Sequence, residues 1–156
     1  EDMQIILIYN GNNTFPMKEK PKCSNATITY LESSAIKGAG HARNVGLKEV
    51  KGRYILFLDA DDYFTPGAFD YFDKYIYENN DIVFFTSTSI RLKTGKISTR
   101  HLEHVRKIDD FLSNGNDELL RYRWEGPVCK MFRTDYIKEN NFQFEVDSYD
   151  LLMKRC

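Results

Sequence analysis

The hydrophobic positions fall first into short unbroken runs and then into helical spacing. Gln4 to Tyr9 is continuously apolar after its first residue. That pattern fits a strand covered on both faces, as in a parallel sheet. It ends in Asn10-Gly11-Asn12-Asn13, which is turn chemistry. Residues 14–25 hold Pro16, Pro21 and several lysines and read as a loop, whereas Ala26 to Leu31 alternates and is β-branched, a second strand. A glycine-rich turn at Gly38-Ala39-Gly40 leads into a helix through Val50, with Gly52 placed to cap it. Arg53 to Leu58 is the strongest strand in the chain and stops at Asp59-Ala60-Asp61-Asp62. Thr65-Pro66 reads as an N-cap followed by proline at the first helical position. Phe69, Phe72, Tyr75 and Ile76 then recur at helical spacing, and Asp81 to Thr86 is a further strand. This order of strands and helices predicts an α/β domain with a mostly parallel sheet.

The second half changes character. Ile90 to Ile97 encloses Lys93-Thr94-Gly95-Lys96, a hairpin-like turn. Residues 108–123 read as short helical pieces, Pro127 to Phe132 as a strand, and Thr134 as the cap of a short helix ending near Asn140-Asn141. No linker separates two domains, so residues 1–156 read as one domain with a small antiparallel and helical C-terminal part.

Composition narrows the function classes. The 156 residues carry 22 Lys+Arg against 23 Asp+Glu, a net charge of −1. A nucleic-acid-binding domain is usually strongly basic, so that class is set aside. No apolar run approaches the length of a membrane-spanning helix, and Glu1-Asp2-Met3 lacks the basic start of a signal peptide. Cys23, Cys129 and Cys156 are odd in number and scattered, which points to a reduced, cytosolic setting.

The candidate chemistry sits in two segments. Asp59, Asp61 and Asp62 follow an apolar strand, and in open α/β sheets ligands bind just outside such strand ends. Carboxylates so close repel one another unless a cation neutralises them. Their hard oxygens suit Mg²⁺ or Mn²⁺ shared with substrate phosphates. The bland alternative is a solvated acidic turn ahead of the next helix. The second segment is Gly40-His41-Ala42-Arg43-Asn44-Val45-Gly46. A glycine-rich helix start offers backbone N–H groups to an anion, and Arg43 adds a planar cation. The alternative there is an ordinary surface arginine.

Together, Ala42-Arg43-Asn44-Val45-Gly46-Leu47 and Lys51-Gly52-Arg53-Tyr54-Ile55-Leu56-Phe57-Leu58-Asp59-Ala60-Asp61-Asp62 resemble family 2 glycosyltransferases in order and spacing. The match is good over residues 38–86 and weaker over 125–154. The resemblance implies a GT-A, Rossmann-like fold, with residues 1–86 as donor half and 87–156 as acceptor half. It implies inverting transfer from a nucleotide-diphosphate sugar, with a UDP-sugar as the expected donor, to a glycan or lipid-linked acceptor. Such enzymes build envelope glycans at the cytoplasmic side, in some cases peripherally at the membrane. By resemblance, Asp59 lies near the ribose or sugar hydroxyls, Asp61 binds Mn²⁺ or Mg²⁺ with Asp59 as a second ligand, Asp62 supports that shell, and Arg43 lies near the nucleotide.

An inverting reaction needs a base for the acceptor hydroxyl. The family places an Asp late in the domain, which maps to Asp150, with Asp147 as rival. Tyr149 stands where the family has Glu or Asn. The family also opens with two strands, the second ending Asp-Asp-Gly-Ser. Here Asn10-Gly11-Asn12 fills that place, so one βα unit is absent and Asn10 and Gly11 inherit the nucleoside contact. A shortened, non-catalytic nucleotide- or metal-binding module is therefore the main alternative, and a metal-dependent phosphohydrolase or nucleotidyltransferase a third. His101 and His104 lie in a basic stretch with Arg100, Arg106 and Lys107, open to a metal or to an acceptor diphosphate. Trp124 reads as core or as a sugar-stacking ring.

Overall fold

A computed structural model describes residues 3–11, 21–33, 38–124 and 126–146. The described elements are β1 (Met3–Tyr9), β2 (Ala26–Glu32), α1 (Gly38–Leu47), β3 (Tyr54–Leu56), α2 (Ala68–Ile76), β4 (Ile82–Phe84), α3 (Leu102–Asn114), α4 (Glu118–Tyr122), β5 (Lys130–Arg133) and α5 (Thr134–Glu139). The α/β class expected from the sequence holds. β1 and β2 pair in parallel, Met3 opposite Ala26 through Tyr9 opposite Glu32. β3, β5 and β4 form a three-stranded sheet in that order. The chain makes two compact units, Glu1–Ile55 with Phe132–Cys156, and Leu56–Met131.

In the first unit, α1 packs on β1 through glycine. A Cβ on Gly46 would sit 2.6 Å from Ile8 Cδ1. Side chains then tie distant backbone together. Gln4 donates to the Glu49 carbonyl at 2.9 Å and accepts from the Lys51 N–H at 2.9 Å. Asn44 makes the same reciprocal pair with Phe144, 2.8 Å each way. Thr134 donates its N–H to the Arg53 carbonyl and its hydroxyl to the Gly52 carbonyl.

In the second unit, Leu120, Trp124 and Cys129 form a buried cluster against Phe84, Phe85, Ile108 and Val128. The aromatic spacing of α2 serves this core. Phe72 is buried and meets Phe85 with ring centroids 4.8 Å apart. Phe69 and Phe64 add edge-to-face contacts, the arrangement that aligns ring edge with ring face. Met131 is the most deeply buried large side chain of this unit among the described residues, as Phe132 is of the first.

Several boundaries differ from the expected ones. The strand predicted over 53–58 forms ladder only at Tyr54–Leu56, and Leu58 is 47% exposed. The helix of residues 38–47 ends five residues before Gly52, in a turn where Glu49 donates to Gly46. α2 starts after Gly67, whose φ of 82° makes it the cap instead of Thr65. Thr134 is the first residue of α5, not its cap, because its hydroxyl is committed to Gly52. The helical pieces expected from 108 begin earlier, at Leu102. The hairpin forms as expected, with Ile90 opposite Ile97 in an antiparallel bridge and Gly95 at φ 64°.

Candidate functional site

The carboxylate turn follows directly on β3. Asp62 donates its N–H to the Asp59 carbonyl at 3.0 Å, which folds the four residues back on themselves. Asp59 is half-buried, and Asp61 and Asp62 are exposed. The three carboxylates feel one another. Burial raises the Asp62 carboxyl above its ordinary range, the charges of Asp61 and Asp59 raise it further, and Arg100 opposes them. The donor chemistry fits a hard divalent cation. Among the described residues, no three His, Cys, Asp or Glu side chains converge into a metal-holding group. Mg²⁺ is commonly held by one or two carboxylates plus substrate phosphates, so the phosphates would complete the shell.

Asp62 also lines a cleft of about 380 Å³. Its walls carry Arg100, Lys107 and Arg123, together with the imidazoles of His101 and His104. Ser87 and Ser89, just past β4, and Glu103 complete the lining, and no apolar side chain faces it. α3 explains this grouping. His101 caps it, and His104 and Lys107 follow at three-residue intervals, so they stack along one face. His101 Nδ1 accepts the Ser89 N–H at 3.3 Å, which leaves its proton on Nε2. His104 lies flat against Trp124, centroids 4.3 Å apart and planes 9° apart. Burial depresses the His104 pKa, and Lys107 adds to that. Its Nδ1 is buried without a hydrogen-bond partner. Lys107 is committed within the fold. It pairs with Glu103 at 3.0 Å and donates to the Arg123 carbonyl at 2.7 Å.

Below this wall Lys130 is 6% exposed and its ammonium donates to the carbonyls of Trp124 and Gly126. Burial pulls its pKa down to about 8. Trp124 belongs to the core, with its indole N–H given to the Val128 carbonyl and one face covered by His104. Cys129 is buried, and burial pushes its thiol pKa up.

The other predicted residues lie in the first unit. Asn10 and Gly11 stand just past the carboxyl end of β1, and Asn10 Oδ1 is buried with no hydrogen-bond partner among the described residues. Gly11 lies under the Tyr9 ring, where a Cβ would come within 2.1 Å of the ring atoms. Arg43 sits on α1 with its guanidinium 5.5 Å from the centre of the Phe144 ring. Gly38, Gly40 and Gly46 are all within the helix, and a Cβ on Gly40 would lie 2.1 Å from the Glu145 carbonyl oxygen. Gly40 and Gly46 permit close packing, whereas Gly38 supplies a φ of 70° with open space around it. Asp147 and Asp150 lie outside the described residues. The sequence singled out the basic stretch 100–107 but not Ser87, Ser89 or Arg123, which reach the cleft only through tertiary packing.

The α/β fold and the carboxylate turn after β3 place the protein among α/β proteins with an acidic strand end. A family model described as glycosyl transferase family 2 matches residues 2–148, and the chain belongs to that family. Its fold is thus of the GT-A class. It is 31% identical over 148 residues to a teichoic acid poly(glycerol phosphate) polymerase of Staphylococcus epidermidis, covering 92% of this chain and 20% of that protein. It is 49% identical over 44 residues to a UDP-Glc:alpha-D-GlcNAc-diphosphoundecaprenol beta-1,3-glucosyltransferase of Escherichia coli, covering 28% of this chain and 18% of that one. A minor teichoic acid biosynthesis protein of Bacillus subtilis is 28% identical over 109 residues, 67% of this chain and 12% of its own length. The chain thus spans a fifth or less of these relatives. No solved structure matches it.

Proposed function

We propose that this protein moves a sugar from a nucleotide-diphosphate sugar to a glycan or lipid-linked acceptor with inversion, in the building of an envelope polymer at the cytoplasmic face of the membrane. The observation that carries this reading is the carboxylate turn after β3, in a chain of this family, with Asp62 opening onto a polar cleft. Asp61 and Asp59 would hold Mn²⁺ or Mg²⁺, which neutralises the charge that grows on a departing nucleoside diphosphate. Asn10, with an amide oxygen unpaired among the described residues at the end of β1, and Gly11 would face the nucleoside, and Arg43 the nucleotide phosphates. Asp150 would take the proton of the attacking acceptor hydroxyl, with Asp147 as the rival. The relatives' names support an acceptor that carries phosphate. No described helix is long and apolar enough to cross a membrane.

Calorimetric titration with UDP, GDP and their sugars, with and without Mn²⁺, tests this. Metal-dependent binding of one nucleotide is the expected result, and Asp61→Asn abolishes it while the circular dichroism spectrum stays unchanged. Nucleotide binding that is indifferent to metal and to Asp61 removes the assignment. Asp150→Asn spares donor binding and stops transfer, and continued transfer moves the base elsewhere.

A further inference from the structure

The cleft beside Asp62 holds more cationic side chains than the donor reading uses. Lys107 cancels against Glu103 and hydrogen-bonds the backbone, so it shapes the wall. That leaves Arg100 and Arg123 as the two guanidinium groups lining the space, against the single carboxylate of Asp62. Both arginines are exposed. Arg123 makes no side-chain ion pair among the described residues. Arginine's planar fork matches phosphate oxygens in pairs, so two around one cleft are suited to a phosphate group. Neutral donors accompany them: the Nε2–H of His101 and the hydroxyl of Ser89, while Ser87 lines the space and gives its hydroxyl to the Cys129 sulfur. About 380 Å³ exceeds what a bare phosphate needs and leaves room for the group it esterifies. The wholly polar lining suits that head group and does not suit a hydrocarbon tail.

We propose that this cleft seats a phosphate of the acceptor, gripped by Arg100 and Arg123 with His101 and Ser89, beside the carboxylate turn. The proposal rests on the glycosyl-transfer reading for the word acceptor, and on the cleft alone for the word phosphate. The two charged sites divide the work. The carboxylates hold the donor diphosphate through a cation, and the arginines hold an anion directly. The phosphate is either that of a membrane lipid head group or that of a water-soluble phosphate ester.

The test uses the whole chain and two probes, sn-glycerol 3-phosphate in solution and phosphatidylcholine vesicles with and without phosphatidate. One of them binds the wild type. The Arg100→Gln/Arg123→Gln variant weakens that binding about tenfold or more, the loss of one set of charge-assisted hydrogen bonds. Arg106→Gln, an exposed cation of α3 outside the cleft, changes it less than about twofold. Binding of the soluble ester assigns a free phosphate, and binding of phosphatidate vesicles alone assigns a lipid head group. Equal binding by the double variant and the wild type overturns the proposal, as does no binding of either probe. UDP with Mn²⁺ is titrated in parallel. UDP binding that survives in the double variant supports the division of work. UDP that competes with the bound probe and is lost in the double variant gives the arginines to the donor and overturns it. If UDP fails to bind the wild type while the ester binds, the phosphate seat stands and the donor reading falls.

Discussion

The two compact units are stitched by different chemistry. In the first, the long-range ties are mostly uncharged. Gln4 and Asn44 each present an amide as donor and acceptor to another segment's backbone, imitating one rung of a ladder, Thr134 adds a hydroxyl bond, and Lys138 adds a charged tie, to the Val50 carbonyl. In the second, the ties are shorter in sequence and carried by charged side chains: Lys107 to Glu103 and to the Arg123 carbonyl, Lys130 to two carbonyls, Arg121 to Asp117. A neutral amide is satisfied by a backbone pair and costs little to bury. A buried ammonium carries a desolvation cost that only several acceptors offset. The described ties of the first unit thus rest mostly on amides and hydroxyls, and those of the second on ammonium and guanidinium groups.

The largest effect that would break this contrast is at Lys130. Its folded pKa lies near 8, below the ordinary lysine value of 10.5. Between those values the unfolded chain binds the proton that the folded chain has released, so stability rises with pH. Chemical denaturation of wild type and Lys130→Met should show the difference between them shift in favour of the wild type from pH 8 to 10.5, by up to about 3 kcal/mol. A constant difference would place the ammonium in water. Next is Asn44→Ala, which removes both hydrogen bonds between this amide and the Phe144 backbone. A loss of about 2 kcal/mol in urea unfolding is expected, unchanged between low and high salt. Salt dependence would mean that charge holds the first unit after all. The smallest is Arg121→Ala. Its partner Asp117 lies one turn away on the surface, so the loss should stay below about 0.5 kcal/mol and vanish in 1 M salt.

Local pattern carried most of the element order. The parallel pairing followed from the unbroken apolar run of β1, and the hairpin from Thr94-Gly95. Errors came where one residue type serves two purposes. Glycines 38 and 40 resemble a turn ahead of a helix, yet they lie inside α1, and Gly40 and Gly46 also serve close packing against Glu145 and Ile8. Thr134 resembles a cap, yet its hydroxyl reaches Gly52, eighty-two residues away. The carboxylate turn was legible because all its groups fall within four residues. The cleft was half legible. The basic run 100–107 announced itself, while Ser87, Ser89 and Arg123 carry no local signal and join it only when β4, α3 and α4 have packed.

The Asn44–Phe144 clamp has a consequence for how the chain is made. Its two halves are 100 residues apart in sequence. At about 5–20 residues per second, a ribosome delivers Phe144 roughly 5–20 s after Asn44. Leu56–Met131 is contiguous, and all of its residues emerge in that interval. The carboxylate turn and its cleft thus have their full set of partners while the glycine helix is still waiting for the strand of backbone that locks it.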